Sequence, residues 1–314
     1  MSQNRANSTA FIETEQYSAF ILRNLHDGLL PQHFYRNVTD FGSGSTLNIK
    51  TIGSVTVQDV AEDVAVDYTP IESGTVKMTI QNHIGDAWYV TDELKEDGAQ
   101  VEALMQARSM ESARALKEVF ETRYLERAAS GLTEGAPNPV NGFSHYLVGS
   151  GANNTIELAE LLSMKVAFDK AHVPLGGRIA IVDPLTAASF AKKIQIQSDI
   201  TKGLPMEILA TGFSRDHEYI MNIYGWHIFT SNRLPKGSFS NGTTTVANGV
   251  KNIFMSVADD NTKPVMAAWR RMPSIETERN KDKRRQEFVT SCRFGFGIQR
   301  LDTLGVVVTN AAAY

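Results

Sequence analysis

The chain has 314 residues, 31 Lys and Arg against 35 Asp and Glu, and a formal net charge of -4. Hydrophobic residues make up 42% and charged residues 21%, ordinary fractions for a folded protein, which exclude a disordered tail protein, a collagen-like chain and a coiled-coil rod. One cysteine, Cys292, excludes an internal disulfide framework and a zinc site built on several thiolates. The polar start lacks the apolar core of a secretory signal, and no window approaches the ~20 apolar residues of a membrane span. The sequence therefore reads as a cytosolic globular protein with one large domain or two modest ones.

In chain order, an extended arm carries one short predicted helix over 14–30, marked by Tyr17, Phe20, Ile21, Leu25 and Leu29 and closed by Gly28 and Pro31. Residues 42–90 then change period. Leu47 and Ile49, Val55 and Val57, and Val76, Met78 and Ile80 alternate with polar residues, which predicts a two-stranded excursion with an irregular acidic tip over 59–69. An isolated ribbon of two strands is marginal, so this one needs a surface to lie on. Residues 92–129 predict one very long helix, capped by Thr91 or Asp92, with Leu94, Val101, Leu104, Met105, Leu116, Val119 and Phe120 on one face and Gly98 as its weak point. A Gly/Pro/Asn-rich loop fills 131–151. A helix over 155–171, a strand over 178–182 and a helix over 184–196 follow, with Asp183 as cap and Pro184 at the first helical position. Short strands are predicted at 206–210, 218–223 and 226–230, then a loop over 231–249 and strands at 252–257 and 265–269. A charged stretch over 270–287 precedes strands at 288–296 and 306–309. The pattern is mixed α+β without βαβ regularity.

Catalytic motifs are scarce. There is no Gly-x-Gly-x-x-Gly turn and no P-loop, and Pro184 sits where phosphate-cradling glycines would follow the 178–182 strand. The seven histidines are scattered without metal-ligand spacing. His217, between Asp216 and Glu218, reads as a surface turn before it reads as a general base. Cys292 lies in the alternating run Phe288, Cys292, Phe294, Phe296 and reads as a small buried residue, not a nucleophile. No cofactor is expected.

Charge is unevenly placed. Residues 42–90 hold two lysines against six carboxylates, net -4, whereas residues 263–287 hold eight cations against four carboxylates, net +4. Opposite segments of equal magnitude suggest contact across a subunit boundary, with a solvated face as the plain alternative.

The order of arm, long β excursion, very long helix and α+β body with a charged hairpin resembles the major capsid (coat) protein of tailed bacteriophages, the Hong Kong 97-type fold. The stretch Phe41, Gly42, Ser43, Gly44, Ser45 with Gly53, Ser54, Val55 is similar to the start of that family's E-loop. Gly225 and Trp226 with Ser231, Asn232, Leu234 and Pro235 are similar to its Gly…Ser-Asn-x-Leu-Pro segment, and Phe294, Gly295, Phe296 and Gly297 with Arg300 and Leu301 to its closing stretch. The resemblance implies an arm over 1–41 and an E-loop over 42–90. It implies a peripheral (P) domain over 91–182 with a spine helix over 92–129, and an inserted axial (A) domain over 183–262. A hairpin over 263–298 returns to the P-domain, and a last strand over 299–314 returns to the A-domain. It further implies pentamers and hexamers of an icosahedral shell enclosing double-stranded DNA without sequence-specific binding, with portal and decoration proteins as partners and assembly in the host cytoplasm. An arm of about forty residues is too short for a fused scaffolding segment, so a separate scaffolding protein is expected. Some relatives crosslink through an E-loop lysine; Lys50 and Lys77 are available, but no carboxylate aligns with them. Candidate contacts between subunits are Lys50, Asp59, Glu62, Asp63, Asp67, Glu72 and Lys77 on the excursion, and Arg270, Arg271, Arg279, Lys281, Arg284 and Arg285 on the basic segment. Candidate hinges are Gly42, Gly44, Gly53, Gly74 and Gly98. The competing readings are an α+β enzyme with a site near Arg178 and Asp183, and a nucleic-acid-binding module using Arg279 to Arg285.

Overall fold

The computed structural model describes residues 34–38, 44–53, 73–98, 101–197 and 219–313, together with residues 57, 59 and 62. The expected 14–30 helix and 206–210 strand lie outside them, as do His217, Gly42, Asp63, Asp67 and Glu72.

Two sheets share one long helix. The first has the order β1-β10-β11-β3-β2, from β1 (Arg36–Asn37), β2 (Thr46–Ile52), β3 (Ser73–Thr91), β10 (Val265–Asn280) and β11 (Arg285–Ile298). The second runs β4-β12-β9-β5-β7-β6, with β8 added to β9. Its strands are β4 (Tyr146–Val148), β5 (Arg178–Val182), β6 (Tyr219–Ile223), β7 (Trp226–Thr230), β8 (Lys236–Ser240), β9 (Thr245–Ser256) and β12 (Leu304–Asn310). The helices are α1 (Asp92–Asp97), α2 (Val101–Ser130), α3 (Leu158–Lys170) and α4 (Pro184–Gln197).

Strand alternation explains the layering of the second sheet. Ile179 and Ile181 of β5 face α2 with Ile253, Val306 and Val308. Ala180 and Val182 face the other way with Phe254 and Val307, against Leu161, Met164 and Phe168 of α3 and Phe190 of α4. Both faces of β5 are therefore buried, and the strand reads as an unbroken apolar run after Arg178. Because β5 pairs with both β7 and β9, the expected boundary at 182/183 falls at the end of a central strand of this sheet.

The predicted helix over 92–129 is two helices. Gly98 ends α1 in extended backbone (φ -88°, ψ 118°), with its amide on the Leu94 carbonyl at 3.0 Å. A Cβ at position 98 would lie 2.6 Å from the Leu94 oxygen and collide with Val101, so the break depends on glycine. The apolar face also rotates along α2. Val101, Leu116 and Phe120 pack on the first sheet, whereas Tyr124, Leu125, Ala128 and Ala129 pack between α2 and the second. Leu94, Leu104 and Val119, expected on one buried face, are 49%, 51% and 38% exposed.

The 42–90 excursion is a free ribbon only in part. Ser73 to Thr79 pair with β2, but Thr79 to Thr91 pair with β11 and belong to the first sheet. The crossover is a bulge at Phe294/Phe296, where Gly295 packs its backbone against Thr79 and Ile80. Met78 and Ile80 are buried there with Val38, Met266 and Ala268. The charged stretch over 270–287 forms strand and turn, a hairpin paired from Val265↔Ile298 out to Asn280↔Arg285. The 231–249 segment, read as loop, carries β8 and the start of β9. Between them Asn241 Oδ1 accepts from the Thr243 and Thr244 amides and Gly242 adopts φ +85°.

Candidate functional site

The first sheet separates charge along its length. At ~3.3 Å per residue, the 19 residues of β3 span roughly 60 Å. One end is the ribbon, where Ile52 pairs with Ser73; Asp59 and Glu62, in the sequence between those two residues, are exposed. At the other end Thr91 pairs with Arg285, beside the turn that carries Lys281, Lys283 and Arg284, all exposed. Arg284 adopts φ +47°, and its carbonyl accepts from the Asp92 amide at 3.0 Å, which fixes the turn against α1.

The structure sorts the basic segment into occupied and available cations. Arg271 pairs with Glu276 at 2.8 Å and donates to Ser291, and Arg279 pairs with Asp92 at 2.8 Å. Arg285 pairs with Glu287 at 2.7 Å and lies over the Tyr89 ring at 4.3 Å; its guanidinium holds the Glu287 carboxyl below its usual range. Lys263 does the same for Asp260. Lys281, Lys283 and Arg284 make no ion pair with a described residue. Arg270 is exposed near the bulge beyond Trp269. On the ribbon, Lys50 and Lys77 are exposed, opposite Thr75 and Asn48. Gly44 has φ +82°; a Cβ on Gly74 would lie 2.6 Å from Thr51 Oγ1; Gly53 follows β2 and is exposed.

Two clamps hold α2 across both sheets. Asp86 of β3 takes Arg108 at 2.9 Å and the Ser112 hydroxyl. Arg233, from the loop after β7, reaches Glu118 and Glu121 at 3.3 Å each. The surrounding motif is structural throughout. Trp226 meets Phe168 and Phe254 edge-on at 5.0 Å, the Ser231 amide extends the β7 ladder to Val182, and Leu234 enters the core. The closing motif does likewise: Phe294 and Phe296 surround Phe120, which stacks on Trp269 at 4.3 Å. The residue pattern marked both motifs but gave no hint of the Arg233 contacts, more than 110 residues distant in sequence.

The residues weighed for catalysis hold the fold. Arg178 donates to the Pro174 and Val173 carbonyls, pairs with Asp169 at 2.7 Å and lies against Phe168 and Trp226. Asp183 accepts from the Leu185 amide at the start of α4, and its own amide donates to Asn252. Cys292 is buried under α2, and burial pushes its thiol up. Among the described residues no group of three or more His, Cys, Asp or Glu side chains is placed to hold a metal, and no helix is long and apolar enough to cross a membrane.

A central helix braces two sheets, with a ribbon thrown out from one of them, and solved phage capsid structures share this arrangement. The capsid of cyanophage P-SCSP1u matches with a TM-score of 0.70 at 15% identity, over 95% of this chain and 93% of that one. The mature capsid of bacteriophage PhiM1 matches with a TM-score of 0.70 at 12% identity, over 100% and 98%. A chain of Mycobacterium phage Che8 matches with a TM-score of 0.65 at 15% identity, over 94% and 96%. At these identities the likeness establishes the fold. Among curated proteins no sequence matches. The family model described as phage capsid protein matches residues 74–309, and the chain belongs to that family. It is a structural protein of the virion shell.

Proposed function

We propose that this chain is the major capsid protein of a tailed phage. Copies form the pentamers and hexamers of an icosahedral shell around double-stranded DNA, through a procapsid built in the host cytoplasm with a separate scaffolding protein. Portal and decoration proteins complete the partners, and the chain itself carries no catalysis. In domain terms, the α2 helix and first sheet form the P-domain, the second sheet with α3 and α4 forms the A-domain, and the ribbon is the E-loop.

One observation carries the contact assignment: the acidic and basic segments flank opposite ends of β3, a strand that spans roughly 60 Å. Charges so far apart do not neutralise each other within a chain, because screening acts over about 8–10 Å. They meet only when a second copy brings its opposite end. Asp59 and Glu62, with Asp63, Asp67 and Glu72 of the same segment, therefore face Lys281, Lys283 and Arg284 of a neighbour, a heterologous contact that closes into rings. Arg271, Arg279 and Arg285 are engaged within the chain and act in positioning the hairpin. Lys50, Lys77 and Arg270 flank the contact, and Gly44, Gly53, Gly74 and Gly98 let ribbon and helix tilt between shell positions.

Expression with and without a scaffolding protein, followed by sedimentation and negative-stain microscopy, tests the reading. Closed shells or capsomer rings are expected. A monodisperse monomer under every assembly condition, scaffold included, would overturn it.

A further inference from the structure

A cleft of about 460 Å³ lies between the carboxyl-terminal half of α2 and the root of the ribbon. We infer that it binds the phosphate backbone of nucleic acid, irrespective of sequence. Arg123 and Arg127, one helical turn apart, line one wall, and Lys77 of β3 lines the other. Asn82 Oδ1 accepts from Arg123 at 2.5 Å and orients its guanidinium toward the space between them. Lys77 and Arg127 pair with no described residue, and Glu126 is the only carboxylate in the lining.

The cleft shares a charge excess with the hairpin turn, but here the cations line a concavity. Elsewhere on the first sheet and on α2, Arg108, Arg271, Arg279 and Arg285 each face a carboxylate of their own chain at 2.7–2.9 Å. Three cations gathered against one carboxylate leave a net attraction for an anion that no described residue supplies. The neutral part of the lining includes Gln81 and Ser130, donors of the kind that hold phosphate oxygens alongside Arg and Lys. Apolar lining is confined to Phe296, so the cleft offers no row of pockets for the side chains of a peptide. Phosphate oxygens accept from every donor present, and nothing in the wall selects a base.

The shell reading supplies the source, the enclosed DNA, but binding is measurable on the unassembled subunit. Full-length subunits are titrated with a labelled random-sequence duplex across a salt series. Three phosphate contacts give a salt slope near -2.7, so affinity falls about 40-fold between about 50 and 200 mM salt. Arg123→Gln and Arg127→Gln each reduce that slope by about 0.9, Arg127→Lys preserves it, and Lys281→Gln with Arg284→Gln leaves it unchanged. Circular dichroism and thermal melting establish that each variant is folded. Salt-independent or absent duplex binding by the folded wild type overturns the proposal. So does loss of binding in the hairpin variant instead of the cleft variants, or capture of polyglutamate with no affinity for duplex. Assembly is scored separately: subunits that form shells yet fail to bind duplex refute the cleft alone, and subunits that bind duplex yet never assemble refute the shell alone.

Discussion

Reversing the turn cations together, Lys281→Glu, Lys283→Glu and Arg284→Glu, isolates the contact between copies from the stability of the subunit. The three side chains are exposed and make no ion pair with a described residue, so the fold loses little; surface changes of this kind stay within about 0.5 kcal/mol. At roughly 60 Å, a pair of charges in water interacts by less than about 0.1 kcal/mol even before screening, so the distant acidic tip leaves the monomer unaffected. Across the proposed contact each exposed pair contributes about 0.2–1 kcal/mol, and reversal replaces attraction with a repulsion of similar size. Three reversals therefore weaken one contact by about 1.2–6 kcal/mol, or roughly 7- to 20,000-fold in its association constant. The assay is the critical concentration for assembly, read by sedimentation, beside thermal melting of the unassembled subunit. Melting is expected to be unchanged and the critical concentration to rise by at least the single-contact factor. Combining the reversal with Asp59→Lys and Glu62→Lys restores assembly in part. An unchanged critical concentration, or a double reversal that rescues nothing, refutes the pairing.

Three further outcomes follow from the interior. Asn252, fully buried, accepts from the Asp183 amide at 2.9 Å and donates to the Val307 carbonyl and Thr309 Oγ1 at 3.1 and 2.8 Å. Asn252→Ala therefore strands buried polar groups and lowers unfolding stability by about 3 kcal/mol, measured in denaturant. An alanine Cβ at Gly295 would sit 2.5 Å from the Thr79 carbonyl oxygen and 2.8 Å from the Ile80 Cα, both backbone. Gly295→Ala is expected to cost about 1–3 kcal/mol and speed amide exchange at Met78 and Ile80, whereas Gly135→Ala, with nothing within 4 Å, is neutral. Burial holds the His145 imidazole below its ordinary 6.5, against the opposing pull of the Asn138 carbonyl and the Asp302 carboxylate. The unfolded chain then binds the proton first, so stability present above pH 6.5 is lost as pH falls below it. His145→Gln flattens that part of the pH–stability curve, and an acid limb identical to wild type contradicts the assignment.

The parts of the fold legible in the sequence are those where one local rule decides the outcome. β5 is bounded as expected because an apolar run ends at Asp183 and Pro184, a cap and a helix start that leave no freedom of register. Gly98 was legible as a weakness in a helix but not as its end, because the break turns on Leu94 and Val101 closing over the missing Cβ. The outer half of β10 carries charge on both faces, so period two is invisible there, and only pairing with β11 makes it a strand. The ribbon was drawn too long for a related reason. Alternation marks Val76, Met78 and Ile80 as strand, and nothing in it records that the strand exchanges one neighbour for another at Thr79.

Charge illustrates the same limit at the site. The sums over 42–90 and 263–287 mark two segments of opposite charge. A sum does not say which charges are already spent inside the chain. Arg279 and Asp92 are 187 residues apart, and they meet because Arg285 pairs with Thr91 and brings the hairpin turn over the start of α1. Once that register is set, Arg279 and Arg285 are engaged and the pole narrows to Lys281, Lys283 and Arg284. The same register sets the length of the sheet and with it the distance between the poles. One strand-pairing frame thus decides both which cations are left without an ion pair to a described residue and how far they stand from the acidic segment at the other end.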